Sequence, residues 1–440
     1  MPTLRAILKQ IFASSTSPAS GAFWLGADRA FRLTIGLLAG LLVIRHLGPA
    51  DNGLLQTGLA LAAMLSAAIE LGLESVLRRE LVRNPHRAST LLGTAFLLRL
   101  AVLGPAVVAF LLIFRWETGG SHPLLGLWLA ITLTLPLVQA LESWLLATDH
   151  MRESAIAGCS ALGISTILRL ALVAAGAAVT AFGAVAAVEV VLVGLTLWIA
   201  CRRFPNAPRQ WSWDRPTAGE LLRGAAPLLC TNIAVLVYRR CDIVMVTAQL
   251  DTRAAGLYAA AVKLSELGYI PPMILFNAWF PRLTRLHAED PARYQAELAR
   301  FFRIVTWLGV AFAAGGTLAA PWLVRRLFGP AFADAAAPFA IHAWTAVFIA
   351  QGIVRSQWLL LENRLVAGLV LAVAGAVTNL TLNALLISRL GPNGAALSAV
   401  IALALNLWVF TALSRRTRPA WVLGWRAFFG LPLPTPPERP

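Results

Sequence analysis

The chain has 440 residues, of which 58% are hydrophobic and 13% charged, and its mean hydropathy is +0.71. No ordinary water-facing surface can be assembled from that composition. The formal net charge of +16 would suit a nucleic-acid binder. Here, however, the cations lie at the ends of apolar runs or inside them, with no helix-turn-helix, zinc-finger or aromatic RNA-reading motif, so no nucleic-acid partner is expected.

Apolar runs of about 20 residues, the length a helix needs to cross hydrocarbon, recur through almost the whole chain. The short alternating segments of a membrane barrel are absent. The expected fold class is an all-α polytopic membrane protein. Residues 1–21 open on an amphipathic stretch (Leu4, Ile7, Leu8, Ile11) followed by a Ser/Pro/Gly linker, and read as a cytoplasmic N-terminal segment. The first long run carries Asp28, Arg29 and Arg32, which excludes a cleavable signal peptide.

Spans are expected at 22–46, 54–73, 89–114, 124–147, 154–178, 181–201, 221–248, 255–280, 300–324, 336–361, 364–388 and 392–414, about twelve in all. Pro105, Pro136, Pro227 and the Pro271-Pro272 pair are expected to bend the spans that hold them. Loop cations orient the chain. With the N-terminus in the cytoplasm, the outer segments hold only Arg45, Arg115, Arg253, Arg325, Arg326 and Arg389, and the remaining loop and tail cations fall inside. Both termini are therefore expected in the cytoplasm.

The chain also repeats. Residues 42–61 lie over 245–264 without a gap, placing Leu47 on Leu250, Gly53 on Gly256, Leu54 on Leu257 and Leu61 on Leu264. The offset places six spans in each half with the same orientation. Parallel repeats of this kind imply two six-helix bundles related by a pseudo-two-fold axis along the membrane normal. The expected bundles are 22–201 and 221–414, joined by a cytoplasmic linker 202–220 and followed by a cytoplasmic tail 415–440.

Cations inside the spans are the chemical signal, because a charge at the helix centre costs about 2.5–3.5 kcal/mol on insertion scales. Asp28 and Arg32 are one turn apart and can pair, which leaves Arg29 and Arg32 one carboxylate between them. Arg99 and Arg169 sit near mid-span with no acid within a turn, and each needs water, a carbonyl, a distant acid such as Glu189, or a ligand phosphate, so both join Arg29 and Arg32 as candidates for lining the cargo pathway. Arg239, Arg240 and Lys263 read as gate or cavity residues, with Asp242 able to meet Lys263 and Glu266 as a further ion-pair or coupling candidate. A purely structural network is the alternative to that reading. Arg223, Arg303 and Arg355 lie near cytoplasmic ends and are expected to snorkel. Cys159, Cys201, Cys230 and Cys241 lie in or beside apolar segments with no metal spacing, and His342 reads as a packed residue. No metal or cofactor is expected.

Four segments carry a family resemblance: IRHLGPADNGLL at 44–55, RRCDIVMVTAQLDTRAAGLYAAAVKL at 239–264, RRLFGPAFADAAAPF at 325–339 and RLGPNGAALSAVIAL at 389–403. In order and spacing they are similar to the polysaccharide-exporting, O-antigen-type branch of the multidrug/oligosaccharidyl-lipid/polysaccharide exporter superfamily. The resemblance implies an inner-membrane flippase of a polyprenyl-diphosphate-linked oligosaccharide, working by alternating access without covalent chemistry. Its partners would be that lipid-linked glycan, membrane lipids and polysaccharide assembly proteins. It also implies cargo binding by the charged pair of the first span. A multidrug cation antiporter of the same fold is the first rival and should show a carboxylate-rich cavity. A membrane glycan polymerase or ligase is the second, and the short outer loops oppose it.

Overall fold

The computed structural model describes residues 18–208, 210–429 and 431. The side chains of residues 18–34, and so those of Asp28, Arg29 and Arg32, lie outside the described residues. Every regular element among the described residues is helical. That is the architecture a backbone must adopt where no water can satisfy its polar groups.

Among the described residues, nine helices are long and apolar enough to cross a membrane, or eleven if each of two bent pairs is one span. The first of them, Ile35–Arg83, spans a break at Gly48 and so contains the end of the expected first span together with the second. With that division the helices match the twelve expected segments one for one, and the chain is an all-α, multi-pass membrane protein.

The chain divides into two compact units. Unit 1 holds residues up to 47 and 58–236. Its helices are most of α1 (Pro18–Glu70), then α2 (Leu73–Arg83), α3 (Ala88–Glu117), α4 (Pro123–Ile131), α5 (Leu135–Ala147), α6 (Met151–Ala174), α7 (Val179–Arg202) and the first part of α8 (Arg215–Gln249). Leu77, Leu92, Trp144, Leu197 and Leu221 form one buried cluster that ties α2, α3, α5, α7 and α8 together.

Unit 2 holds residues 48–57 and 237–440. Beyond the end of α8 it contains α9 (Thr252–Ser265), α10 (Ile270–Glu289), α11 (Pro291–Phe328), α12 (Ala336–His342), α13 (Thr345–Leu361), α14 (Leu365–Leu390), α15 (Pro392–Ala404) and α16 (Arg418–Phe429). Leu283, Phe302, Val354, Leu371 and Leu423 share its main buried cluster. The units differ from the expected bundle limits in two places. Their boundary falls within α8 because Leu221 and Ala225 pack with α2 and α3. Segment 48–57 packs with α9 through Gly53 and Gly256.

Three Gly-Pro steps punctuate the helices. Gly48, Gly329 and Gly391 have φ of 72°, 91° and 61°, which a residue with a Cβ resists, and the proline that follows each starts a new helix where its missing N–H is not needed. The expected proline bends are mixed. The helix breaks by 50° between Ala226 and Leu228, around Pro227. Pro136 and Pro271-Pro272 sit in the first turns of α5 and α10, just after short 3-10 turns at Thr132–Thr134 and Glu266–Tyr269. Pro105 leaves α3 continuous.

Part of the expected tail is structured. Residues 418–429 form α16, which packs on α11 and α13.

Candidate functional site

Each unit carries its own polar cluster. In unit 1, α6 and α7 form a helical hairpin whose facing sides bring together residues twenty positions apart. Arg169 Nη2 donates to Glu189 Oε2 at 2.5 Å, with both side chains about a quarter exposed (24% and 25%). The pair opens onto a cavity of about 350 Å³ whose polar wall is Thr132, Gln139, Glu142 and Ser154. Thr132 enters this wall because α4 ends there in a 3-10 turn, and Ser154 Oγ donates to Glu142 Oε1 at 3.3 Å. The site therefore has one guanidinium, two carboxylates, an amide and two hydroxyls.

Arg99 is placed differently. Its side chain is fully buried and its Nη1 donates to the Pro136 carbonyl at 2.6 Å, while Nε and Nη2 have no partner. Of the partners open to it from sequence, Arg99 takes a carbonyl and Arg169 takes Glu189. Arg99 thus reaches from α3 to the first turn of α5, where the Pro136 carbonyl holds its buried side chain.

At the end of the linker, Asp214 caps α8. It accepts from the Thr217 backbone N–H at 2.9 Å and from the Thr217 hydroxyl, and these bonds hold its carboxyl below the usual 3.8, with Arg87 adding a smaller attraction. Arg87 itself donates to Thr217 Oγ1 at 2.7 Å.

In unit 2, Asp242 is buried and accepts from the Tyr258 hydroxyl and from the Ile243 N–H at 2.9 Å. Tyr258 stands edge-on to His342, with ring centroids 5.9 Å apart. His342 Nδ1 meets Ser265 Oγ at 2.8 Å, the packed role expected of it. The expected Asp242–Lys263 pair is absent, since Tyr258 takes the carboxylate one helix turn earlier. Lys263 is half-buried and has no ion-pair partner among the described residues. Glu266 instead gathers Arg239 at 3.8 Å and Arg240 at 4.0 Å. Both are long contacts, and Arg239 remains largely exposed.

Arg355 also departs from expectation. Rather than snorkelling, it donates to the Asn406 carbonyl at 3.0 Å, to Asn406 Oδ1 at 2.8 Å and to Thr411 Oγ1 at 2.8 Å. The carbonyl is available because the chain takes a π-helical turn at Leu405–Phe410. Arg223 and Arg303 are exposed, as expected.

Several polar groups escaped the sequence reading. Asn379 and Asn383 are buried one turn apart on α14. Asn383 Nδ2 donates to Asn379 Oδ1 at 3.0 Å, Cys241 Sγ approaches the same oxygen at 3.4 Å, and Asn383 Oδ1 has no partner. Their i,i+4 spacing in an apolar span was the available signal. Gln139 carried none beyond its polarity. Among the described residues no cluster of His, Cys, Asp and Glu could hold a metal ion.

Apolar spans, helices broken at Gly-Pro steps and a polar cluster within each unit define a multi-pass helical membrane protein. The sequence model of the family described as "Polysaccharide biosynthesis protein" matches residues 20–287, and the chain belongs to that family. Comparison with curated protein sequences finds no match.

The fold is similar to that of a lipid II flippase, MurJ, in an inward closed conformation, with TM-score 0.72 and 12% identity over 92% of this chain and 90% of that one. It is also similar to an inward-facing multidrug resistance MATE family transporter of the MOP superfamily, with TM-score 0.69 and 14% identity over 91% and 95% of the two chains. An outward-facing MATE structure gives 0.57 and 14% over 94% and 96%. At these identities the likeness is one of fold, and with the family match it bears out the resemblance read from the sequence motifs.

Proposed function

We propose that this protein flips an anionic, polyprenyl-diphosphate-linked oligosaccharide across the bacterial inner membrane, from the cytoplasmic to the outer leaflet, for cell-surface polysaccharide assembly. Both termini face the cytoplasm in this reading. The observation that carries it is Arg169, a mid-span guanidinium that opens onto a polar cavity within a family tied to polysaccharide biosynthesis. A diphosphate and its sugars cannot cross hydrocarbon unshielded, and a planar guanidinium fork matches phosphate oxygens in a bidentate fashion. Arg29, Arg32, Arg239, Arg240 and Lys263 would extend the cationic path, with Asp28, Glu189, Asp242 and Glu266 as the counter-charges that hold those cations between cargoes. Alternating access moves the head group while the prenyl chain stays in lipid, and no covalent step is involved.

The test is the appearance of labelled lipid-linked glycan on the outer leaflet, normalised to protein abundance. Arg169→Gln should abolish it, and Arg169→Lys should retain part, because lysine keeps the charge and loses only the fork. Full flipping by Arg169→Gln together with Arg32→Gln would remove the cationic path.

A second reading has its own observation. The cavity that holds Arg169 also holds Glu142 and Glu189, the carboxylate majority that a cation antiporter of this fold would present. Proton- or sodium-driven efflux of cationic dyes, lost in Glu142→Gln, would favour it.

A further inference from the structure

Helix α16 turns Ala420, Leu423 and Gly424 onto α11 so closely that a Cβ at Gly424 would stand 2.7 Å from the Phe302 ring. The seam is nevertheless not filled. A cavity of about 120 Å³ remains between α16, α11, α13 and the π-helical turn, with Phe302, Trp408, Trp421, Trp425, Phe428 and Phe429 on its wall. Arg355 stands at this wall too. All its hydrogen bonds go to neutral oxygens, and no carboxylate pairs with it among the described residues. Its positive charge is left uncompensated.

The turn that precedes this wall is cationic as well, since Arg415, Arg416 and Arg418 lie two to six residues before Ala420 and Trp421 of the cavity. Arg415, Arg416 and Arg418 are exposed on the turn that leads into α16, with no ion pair among the described residues. Arg364 joins them by donating to the Arg416 carbonyl. Between Glu362 and Glu438 the sequence contains no Asp or Glu, so this end of the chain brings cations without acids of its own. Further along the same helix, Trp425 and Phe429 are 41% and 55% exposed, in the manner of aromatic side chains that sit at the head-group level.

An occupant must present an apolar chain to the aromatic wall and an anion to the arginines. The cavity has room for a few methylene groups, and its lining is too apolar for a sugar. We propose that this is a binding site for an anionic glycerophospholipid of the adjoining leaflet, with an acyl chain entering the aromatic cavity and the phosphate held by Arg415, Arg416 and Arg418. Basic side chains beside aromatic rings at a membrane surface recognise such head groups. The proposal does not depend on what the protein transports.

Native mass spectrometry of the full-length protein, titrated with phosphatidylglycerol or phosphatidylcholine, tests it. The wild type should retain phosphatidylglycerol in preference. Each Arg→Gln change among the three should weaken that binding about fivefold, and the triple variant on the order of a hundredfold, down to the phosphatidylcholine level. These residues are exposed, so the variants should fold. Ala420→Leu, which fills the cavity and leaves the arginines in place, should weaken retention of phosphatidylglycerol with little change in melting temperature. Equal retention of the two lipids by wild type would overturn the proposal. So would an unchanged triple variant, or full displacement of phosphatidylglycerol by inorganic phosphate, which would make the site one for a soluble anion.

Discussion

Gly53 and Gly256 meet backbone to backbone. A Cβ on Gly53 would overlap the Thr252 carbonyl oxygen, and a Cβ on Gly256 would overlap that of Pro49. The contact is reciprocal, since Pro49 and Thr252 are separated in sequence by the same 203 residues as the two glycines. The register aligned from sequence is thus the register in which the two segments touch. Asn52 Nδ2 donating to the Gly256 carbonyl at 3.1 Å and the Thr57–Thr247 hydroxyl pair at 2.6 Å extend the seam. Small residues at such crossings allow the backbone approach that packing in lipid relies on.

Gly53→Ala and Gly256→Ala should each destabilise the purified protein by about 1–3 kcal/mol, because the new methyl meets backbone that cannot move aside like a flexible side chain. Gly163→Ala, whose Cβ would meet nothing within 4 Å, should stay within about 0.5 kcal/mol. Thermal unfolding in detergent compares the three. Equal melting temperatures would show that the crossing is looser than its geometry.

Much of this fold was legible because lipid simplifies the rules: apolar length gives spans, and the polar or charged breaks between apolar runs give the turns. Interactions between distant segments were less legible. Arg355 looked like a snorkelling residue because nothing near it in sequence announces that Asn406 will offer a carbonyl from a π-helical turn. Helix α16 was hidden by Arg418, Pro419 and Arg426, although Trp421, Trp425 and Phe428 already follow a helical spacing. For Arg169 the sequence offered Glu189 among several partners, and the hairpin of α6 and α7 selects it.

The two mid-span arginines should separate by experiment. Arg99 is fully buried against the Pro136 carbonyl, so Arg99→Gln should lower abundance and melting temperature while transport per molecule changes little. Glu189→Gln should strand Arg169 at a cost of about 1–3 kcal/mol. The exchange Arg169→Glu with Glu189→Arg should restore abundance without restoring transport, if Arg169 must meet cargo from its own helix. Restored transport in the exchanged protein would make the pair structural.

The cap at Asp214 gives a pH prediction of definite sign. Its carboxyl titrates below the usual 3.8 in the folded chain because Thr217 donates to the ionised form. The stabilisation is therefore complete above about pH 4 and is lost as pH falls through the lowered value. Protection of the amides over residues 215–218, taken relative to the intrinsic exchange rate at each pH, should fall on acidification in the wild type. Asp214→Asn should show little of that pH dependence. A pH-independent wild type would mean that the cap contributes nothing in solution.

Topology is the last prediction and the one on which the direction of transport depends. Arg115 and Arg253 are the single cations of their outer loops, two of six arginines assigned outside, whereas 202–220 and 281–299 hold clustered arginines, and such asymmetry orients short-looped membrane proteins. Reporter fusions at residues 210 and 290 should therefore report cytoplasm, and fusions at 119 and 251 the outer side. Residue 119 follows the third expected span of the first half and residue 251 the first of the second, so each follows an odd number of crossings in its half. An outside signal at both, with 210 inside, requires parallel halves. A cytoplasmic signal at 251 with an outside signal at 119 would invert the second half. The repeat that pairs Gly53 with Gly256 could then not arise from two halves inserted in the same direction.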